Sequence, residues 1–464
     1  MPDDAPPPVS ELSPAEPEAR IERAARQPFG WILSGALIAL LFVGQLSAYF
    51  TRDERPQHRS FLTEEMSLHQ YVYAKKWSRF FGQAGATLSD TKELRAELAD
   101  VLPHAATDVR AARLAVEMSV ELGAQPPPRA IVALVKEGDP KSLSLAEAYG
   151  RAPPSIEGAR RLERAISSSS FLDRLARDHL RQRAGLPIRS EAVSDARLAY
   201  AATVLFGAAV AMVVGIALWV VFFAMRTGGA LHPKGPPVGP LSPAVADRFA
   251  LRFGLVMLAF LLLELGTELA GLPVRQPAAT LAIRLIGSIG LIGLVWFAYR
   301  RNGLVEIGLR RAGFGRHVLW GLGAAVANAP VVLGLELAAT KIFAGLPSPE
   351  HPASVELLTN PSLATVLVVI FSACVAAPIL EETLFRGTLL PALAGVWRRP
   401  WVAGLVSSLL FAVIHPTGIP AWPGLAAIGG MSAYLTYQTG SLVPSMAMHS
   451  LHNLGTLLVG LAFN

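Results

Sequence analysis

Cysteine is all but missing. Cys374 is the only one in 464 residues and sits inside an apolar run, which excludes an intrachain disulfide and a multi-cysteine zinc site and leaves it as a packing residue. Charge is scarce too. Asp, Glu, Lys and Arg make up 16% of the chain against 52% hydrophobic residues, a balance outside the soluble globular range. The net charge of +6 comes without a basic patch interleaved with aromatics, which argues against a nucleic-acid partner. Also absent are the Gly-x-Ser-x-Gly of serine hydrolases, the His-Glu-x-x-His of zincins, the paired Glu-x-x-His of di-iron bundles and any visible inverted repeat of a transporter. No small-residue cleavage site closes the first apolar stretch, which therefore reads as a retained anchor.

What is present is a series of apolar stretches. Those at 29–50, 199–225, 249–272, 280–299, 317–340 and 363–380 approach the roughly 20 residues that cross a bilayer. Shorter ones follow at 401–415, 422–438 and 441–463. The expected fold class is all-α, a polytopic membrane helical bundle of about eight or nine segments. Residues 1–28, rich in Pro, Glu and Ala, read as a disordered cytoplasmic tail, and 29–50 as the first anchor. Between 51 and 198 the composition turns to Arg, Glu, Asp and Ala, with apolar residues at helical spacing in "TKELRAELADVL" and "VRAARLAVEMSVELG". This is expected to be an inserted helical extra-membrane domain, whose partner the sequence does not name. Residues 199–279 hold the second and third spans, and 280–464 the remaining core.

Basic residues orient the chain. Arg20, Arg23 and Arg26, then Arg226, Lys234 and Arg248, then Arg300, Arg301, Arg310, Arg311 and Arg316, then Arg398 and Arg399 fall on one side if the spans alternate. That side is cytoplasmic by the positive-inside rule. The inserted domain then lies outside the cytoplasm, in a bacterial periplasm, and the protein is expected in the cell membrane as a multi-pass protein.

Ionisable groups inside the spans need an explanation, because charge in lipid is costly. Glu264 and Glu268 can be neutralised by Arg284 across one hairpin, and Arg252 can snorkel to the head groups. Glu336 has no evident partner, and Asn328 with Pro330 marks a kink. The last 90 or so residues are different in kind. "EETLFR" at 381–386, "FAVIH" at 411–415 and "HSLHN" at 449–453 interrupt three successive apolar stretches. Glu382 and Arg386 are four apart and can pair. Glu381 lies about 100 degrees around the helix from Glu382 and is free to point elsewhere. A carboxylate, two imidazoles and an amide can activate water and stabilise the oxyanion formed at a carbonyl, which is amide hydrolysis.

The ordered set Glu-Glu-x-x-x-Arg, Phe-x-x-x-His and His-x-x-x-Asn, with "FRG" after the glutamates and "YQTGSLVPSMAMH" before the last motif, closely resembles the CPBP intramembrane protease family. That family is also called the Abi or CAAX-protease family and includes the Rce-type prenyl-protein endopeptidases. The resemblance covers roughly 280–464 and leaves 51–198 as an addition. It implies an endopeptidase acting on a membrane-associated protein or peptide, with Glu381 as water-activating base, His415 holding that water, and His449 and Asn453 stabilising the oxyanion. Glu382 and Arg386 support the site; His452 matches no required position. No cofactor is firmly implied, although Glu381, His415 and His449 could supply three zinc ligands and leave a fourth position for water. The alternative is a catalytically silent membrane scaffold or immunity-type binding protein of the same fold.

Depth sets a constraint of its own. For Glu381 and His415 to share one water, the glutamate helix has to run on past Arg386 and the stretch ending at Pro416 has to be short or tilted. A water-filled cavity between the later helices is then expected.

Overall fold

A computed structural model describes residues 28–50, 61–81, 91–166, 170–228, 242–269, 277–299, 308–309, 313–343, 346, 357, 362–397, 399–415 and 417–463. The tail reading of 1–28 falls outside these residues except at Pro28, as do the side chains of Glu264, Glu268 and Arg284. Every regular element described is helical, as the composition requires.

Helix α1 (Phe29–Phe50) leads to the inserted domain, which is built from α2 (Leu62–Phe81), α3 (Thr91–Val101), α4 (Val109–Glu121), α5 (Pro128–Glu137), α6 (Pro140–Ala148), α7 (Ile156–Ala165) and α8 (Phe171–Arg183). Local signals punctuate them. Asp108 caps α4 by accepting from the backbone N–H groups of Arg110 and Ala111. Asp139 does the same for α6, where Pro140 opens the helix, and Ser155 and Ser170 cap α7 and α8. Gly138 takes the left-handed conformation that ends α5, φ 76°. Neighbouring helices pack in order, and α8 returns onto α4.

The domain core is apolar but threaded by ion pairs. Arg113 bonds Glu117 at 2.9 Å and Asp173 at 2.8 Å, and Lys75 and His179 meet Glu121 at 2.7 and 2.8 Å. Burial pushes the Glu117 carboxyl up to about 7 against the opposing pull of Arg113. Glu121 is held down at about 2, because His179 and Lys75 outweigh the cost of its burial.

Helix α9 (Asp195–Thr227) joins domain and membrane without a break. At 1.5 Å per residue it is about 50 Å long against a hydrocarbon core of roughly 30 Å. Its first turns belong to the domain, since Leu198 and Ala201 lie in the domain core. The boundary expected at 198 therefore falls inside a helix. Then come α10 (Pro243–Leu269), α11 (Pro277–Tyr299), α12 (Phe314–Ile342), α13 (Leu363–Trp397), α14 (Pro400–Val413), α15 (Trp422–Thr439) and α16 (Val443–Ala462). Among the described residues, α9, α12 and α13 are long and apolar enough to cross a bilayer, and Phe29–Gly44, Leu285–Phe297 and all of α14 are shorter apolar stretches. This is a helical membrane protein.

Helix ends that alternation places on one side do meet. The Leu442 N–H donates to the Gly308 carbonyl at 3.0 Å, and the Trp31 N–H to Asp247 at 3.2 Å. The opposite end of α16 reaches the inserted domain, whose core includes Ala462. Helix α16 packs tightly on α12 because Gly321 has no side chain: a Cβ there would come within 2.3 Å of the Pro444 carbonyl. Glu336 on α12 lies against Gly424.

Candidate active site

Helix α13 does not stop where the apolar run ends at Leu380 but runs on past Arg386, as the shared depth of Glu381 and His415 required. It continues through both glutamates to Trp397, because Glu382 and Arg386 neutralise each other inside the bundle at 3.2 Å with both side chains 0% exposed. Helix α14 is short, as the depth argument required. Its last turn brings His415 to the level of Glu381.

Two π-helical stretches, Ser372–Ala376 and Thr383–Leu389, flank the glutamate pair. Such widened turns are frequent at functional sites, and nothing in the hydrophobic pattern signals them. Their effect can be followed atom by atom. The Ala377 N–H reaches back five residues to the Ser372 carbonyl. In the same register residue 378 would serve the Ala373 carbonyl, but Pro378 has no N–H. The Asn453 amide takes the vacated place, donating to the Ala373 carbonyl at 2.7 Å.

The two glutamates separate as their angular positions predict. Glu382 is sealed: besides Arg386 it accepts from His449 Nδ1 at 3.0 Å and from the Ser432 hydroxyl at 3.3 Å. Glu381 keeps 24% of its side chain accessible, although its Oε2 is itself buried. Its Oε2 lies 3.7 Å from His415 Nε2 and 3.8 Å from His449 Nε2, and accepts no hydrogen bond from the protein.

Tautomers follow from the partners on the far side of each ring. His415 Nδ1 faces the Phe411 carbonyl at 2.6 Å, which can only accept, so Nδ1 carries a proton and caps the end of α14. His449 Nδ1 faces the Glu382 carboxylate and is likewise the donor. In their neutral forms both rings turn an Nε2 lone pair toward Glu381 Oε2. Three acceptors then converge across gaps too long for direct hydrogen bonds, an arrangement that calls for a shared hydrogen-bearing species such as water.

Phe411, fully buried, backs the cluster. Its ring lies 4.6 Å from that of His415 and 5.8 Å from that of His449, with the Arg386 guanidinium 4.6 Å over it. Arg386 also donates to the Gly429 carbonyl at 3.0 Å. A Cβ on Gly429 would stand 2.9 Å from Ser408 and 3.2 Å from Arg386, so α15 approaches only because that position is glycine.

Glu381, Glu382, Arg386, His415 and His449 thus come together. Asn453 follows His449 on α16 and has one amide hydrogen committed to the Ala373 carbonyl rather than to any of the five. Ser432 and the Gly429 carbonyl were not read from the sequence; their signal is the "GGMS" at 429–432 inside an apolar helix. The donor types suit a three-ligand zinc site, but their placement does not: among the described residues no three His, Cys, Asp or Glu side chains are grouped to hold a metal ion.

Residues 363–455 match the family model described as Type II CAAX prenyl endopeptidase Rce1-like. Neither the curated proteins nor the solved structures provide a match. The matched stretch takes in all six of the site residues named from the motifs. Over 363–455 the chain is therefore similar to the Rce1-like endopeptidases, consistent with a CPBP-type intramembrane protease.

Proposed function

We propose that the protein is a multi-pass endopeptidase of the cell membrane that hydrolyses peptide bonds of membrane-associated proteins or peptides with water activated by Glu381. The observation that carries this reading is the unpartnered Glu381 Oε2 facing two imidazole nitrogens at 3.7 and 3.8 Å.

In this reading a water bound between Glu381 and His415 gives a proton to Glu381 as its oxygen attacks the substrate carbonyl. The negative charge that develops on the carbonyl oxygen is met by His449 and by the second amide hydrogen of Asn453. Glu381 then passes the proton to the departing amine, so the base ends the cycle as it began. Glu382 stands behind His449 as the carboxylate of a triad stands behind its histidine, fixing the orientation of the ring. Arg386 pairs with Glu382 inside the bundle at 3.2 Å. No step is routed through zinc.

The test is a screen of purified protein in lipid against membrane-anchored peptides, prenylated and unprenylated, with product termini read by mass spectrometry. Cleavage of at least one class by the wild-type chain supports the reading. No cleavage across the panel leaves the silent scaffold as the better account.

A further inference from the structure

The inserted domain and the helix that carries His449 and Asn453 are joined by a contact 394 residues apart in sequence. His69 on α2 bonds through Nδ1 to the Phe463 carbonyl at 2.8 Å. A carbonyl only accepts, so His69 donates. Phe463 caps the C-terminal end of α16, and the carbonyl His69 holds is one of those a helix leaves without an internal partner.

This junction is built rather than incidental. The His69 side chain is wholly buried against Phe171 of α8, with ring centroids 3.7 Å apart and the planes tilted by 34°. Its far nitrogen lies 3.7 Å from Glu65, and Glu65 is held in turn by Arg110 of α4 at 2.7 Å. The Phe463 ring meets Tyr73 edge-on at 5.5 Å. Ala462, 1% exposed, is part of the domain core. A passive insertion would not need to enclose the last turn of a membrane helix in its own core.

The helix so held is the one on which the site depends. His449 lies 14 residues and Asn453 ten residues before Phe463 on one continuous helix, about 21 and 15 Å away at 1.5 Å per residue. Lower down, α16 is fixed by the bonds of His449 to Glu382 and Asn453 to Ala373. With one end tied to the domain and the middle tied to α13, rotation or sliding of α16 would have to break both.

We infer that His69 is a positioning residue, through which the inserted domain sets the register of α16 and hence the placement of His449 and Asn453. The inference rests on the peptidase reading for its effect on turnover, but not for the clamp itself. Anything that loosens α2 against α8 reaches the site along α16.

The full-length protein in lipid nanodiscs tests this with two variants. His69→Phe keeps an aromatic ring against Phe171 and removes the donor; His69→Asn gives up the ring and returns a donor near the position of Nδ1. Amide hydrogen exchange over 449–463 and the kinetics of cleavage are recorded for each. His69→Phe is expected to speed exchange in the last turns of α16 about tenfold, the value of one hydrogen bond. It should also lower kcat about tenfold at unchanged KM, with His69→Asn recovering most of both. Exchange unchanged in His69→Phe, or equal losses in the two variants, overturns the inference. Exchange is read without substrate, so a wild-type chain that cleaves nothing counts against the peptidase reading alone, and the exchange result still decides the clamp.

Discussion

His449 donates through Nδ1 to Glu382 across 3.0 Å, in a place where Glu382 is wholly buried. The bond fixes both the orientation of the ring and the tautomer that turns Nε2 toward Glu381. Glu382→Gln keeps the shape and removes the charge, and its amide can face the ring with either atom. The expected result is a fall in kcat of about 10²–10⁴. Arg386 is left buried without its counter-charge, so thermal unfolding in detergent should also show a loss of about 3–5 kcal/mol. Full activity with an unchanged midpoint would separate Glu382 from the site.

Asn453 and Pro378 should be coupled in stability and uncoupled in activity. Asn453→Ala leaves the Ala373 carbonyl without a donor, at a cost of about 1–3 kcal/mol. Pro378→Ala restores a backbone N–H in reach of that carbonyl, so Asn453→Ala should cost much less in the Pro378→Ala background. Cleavage should stay low in the double variant, because the amide that the proposed mechanism sets against the oxyanion is still missing. Additive losses of stability, read as a double-mutant cycle, would break the link between the proline and the asparagine.

The inserted domain should respond to pH through Glu117. Its carboxyl, pushed from 4.5 up to about 7 in the folded domain, binds its proton more tightly folded than unfolded. It therefore contributes stability that is fully present below pH 4.5 and lost as pH rises through about 7. Glu121 works oppositely: its contribution is present above 4.5 and disappears as pH falls through about 2. Glu117→Gln should flatten the decline between pH 4.5 and 7 in denaturant melts that follow the domain. An unchanged slope would mean that Glu117 is ionised throughout.

Metal removal should have no effect. Because no three ligands are grouped for a metal among the described residues, exhaustive chelation is expected to leave cleavage intact. Loss of activity that zinc alone restores would contradict the water-activation scheme in its metal-free form.

The division of labour between the glutamates was legible in the sequence, since a 100-degree step around a helix separates Glu381 from the face shared by Glu382 and Arg386. The three motifs also named every ionisable group of the site. The continuation of α13 past Arg386 was legible as well, from the need to bring Glu381 and His415 to one depth and from the four-residue spacing that lets Glu382 and Arg386 pair. The π-helical turns were not legible, because they depend on a register that hydrophobic periodicity averages away. The partners of His449, Asn453 and His69 lie 67, 80 and 394 residues distant, and only tertiary packing brings them near. Asn453 illustrates the limit best, because its residue type suggested an oxyanion donor while its first bond repairs the gap that Pro378 leaves.

The most direct measurement compares wild-type protein with Glu381→Gln in lipid, using a membrane substrate that the wild type cleaves and thermal unfolding as the control for folding. Glu381 makes no hydrogen bond through Oε2 within the protein, so the variant should unfold within a few degrees of the wild type while cleavage falls by about 10²–10⁴. A well-folded Glu381→Gln protein that cleaves at the wild-type rate would contradict the account.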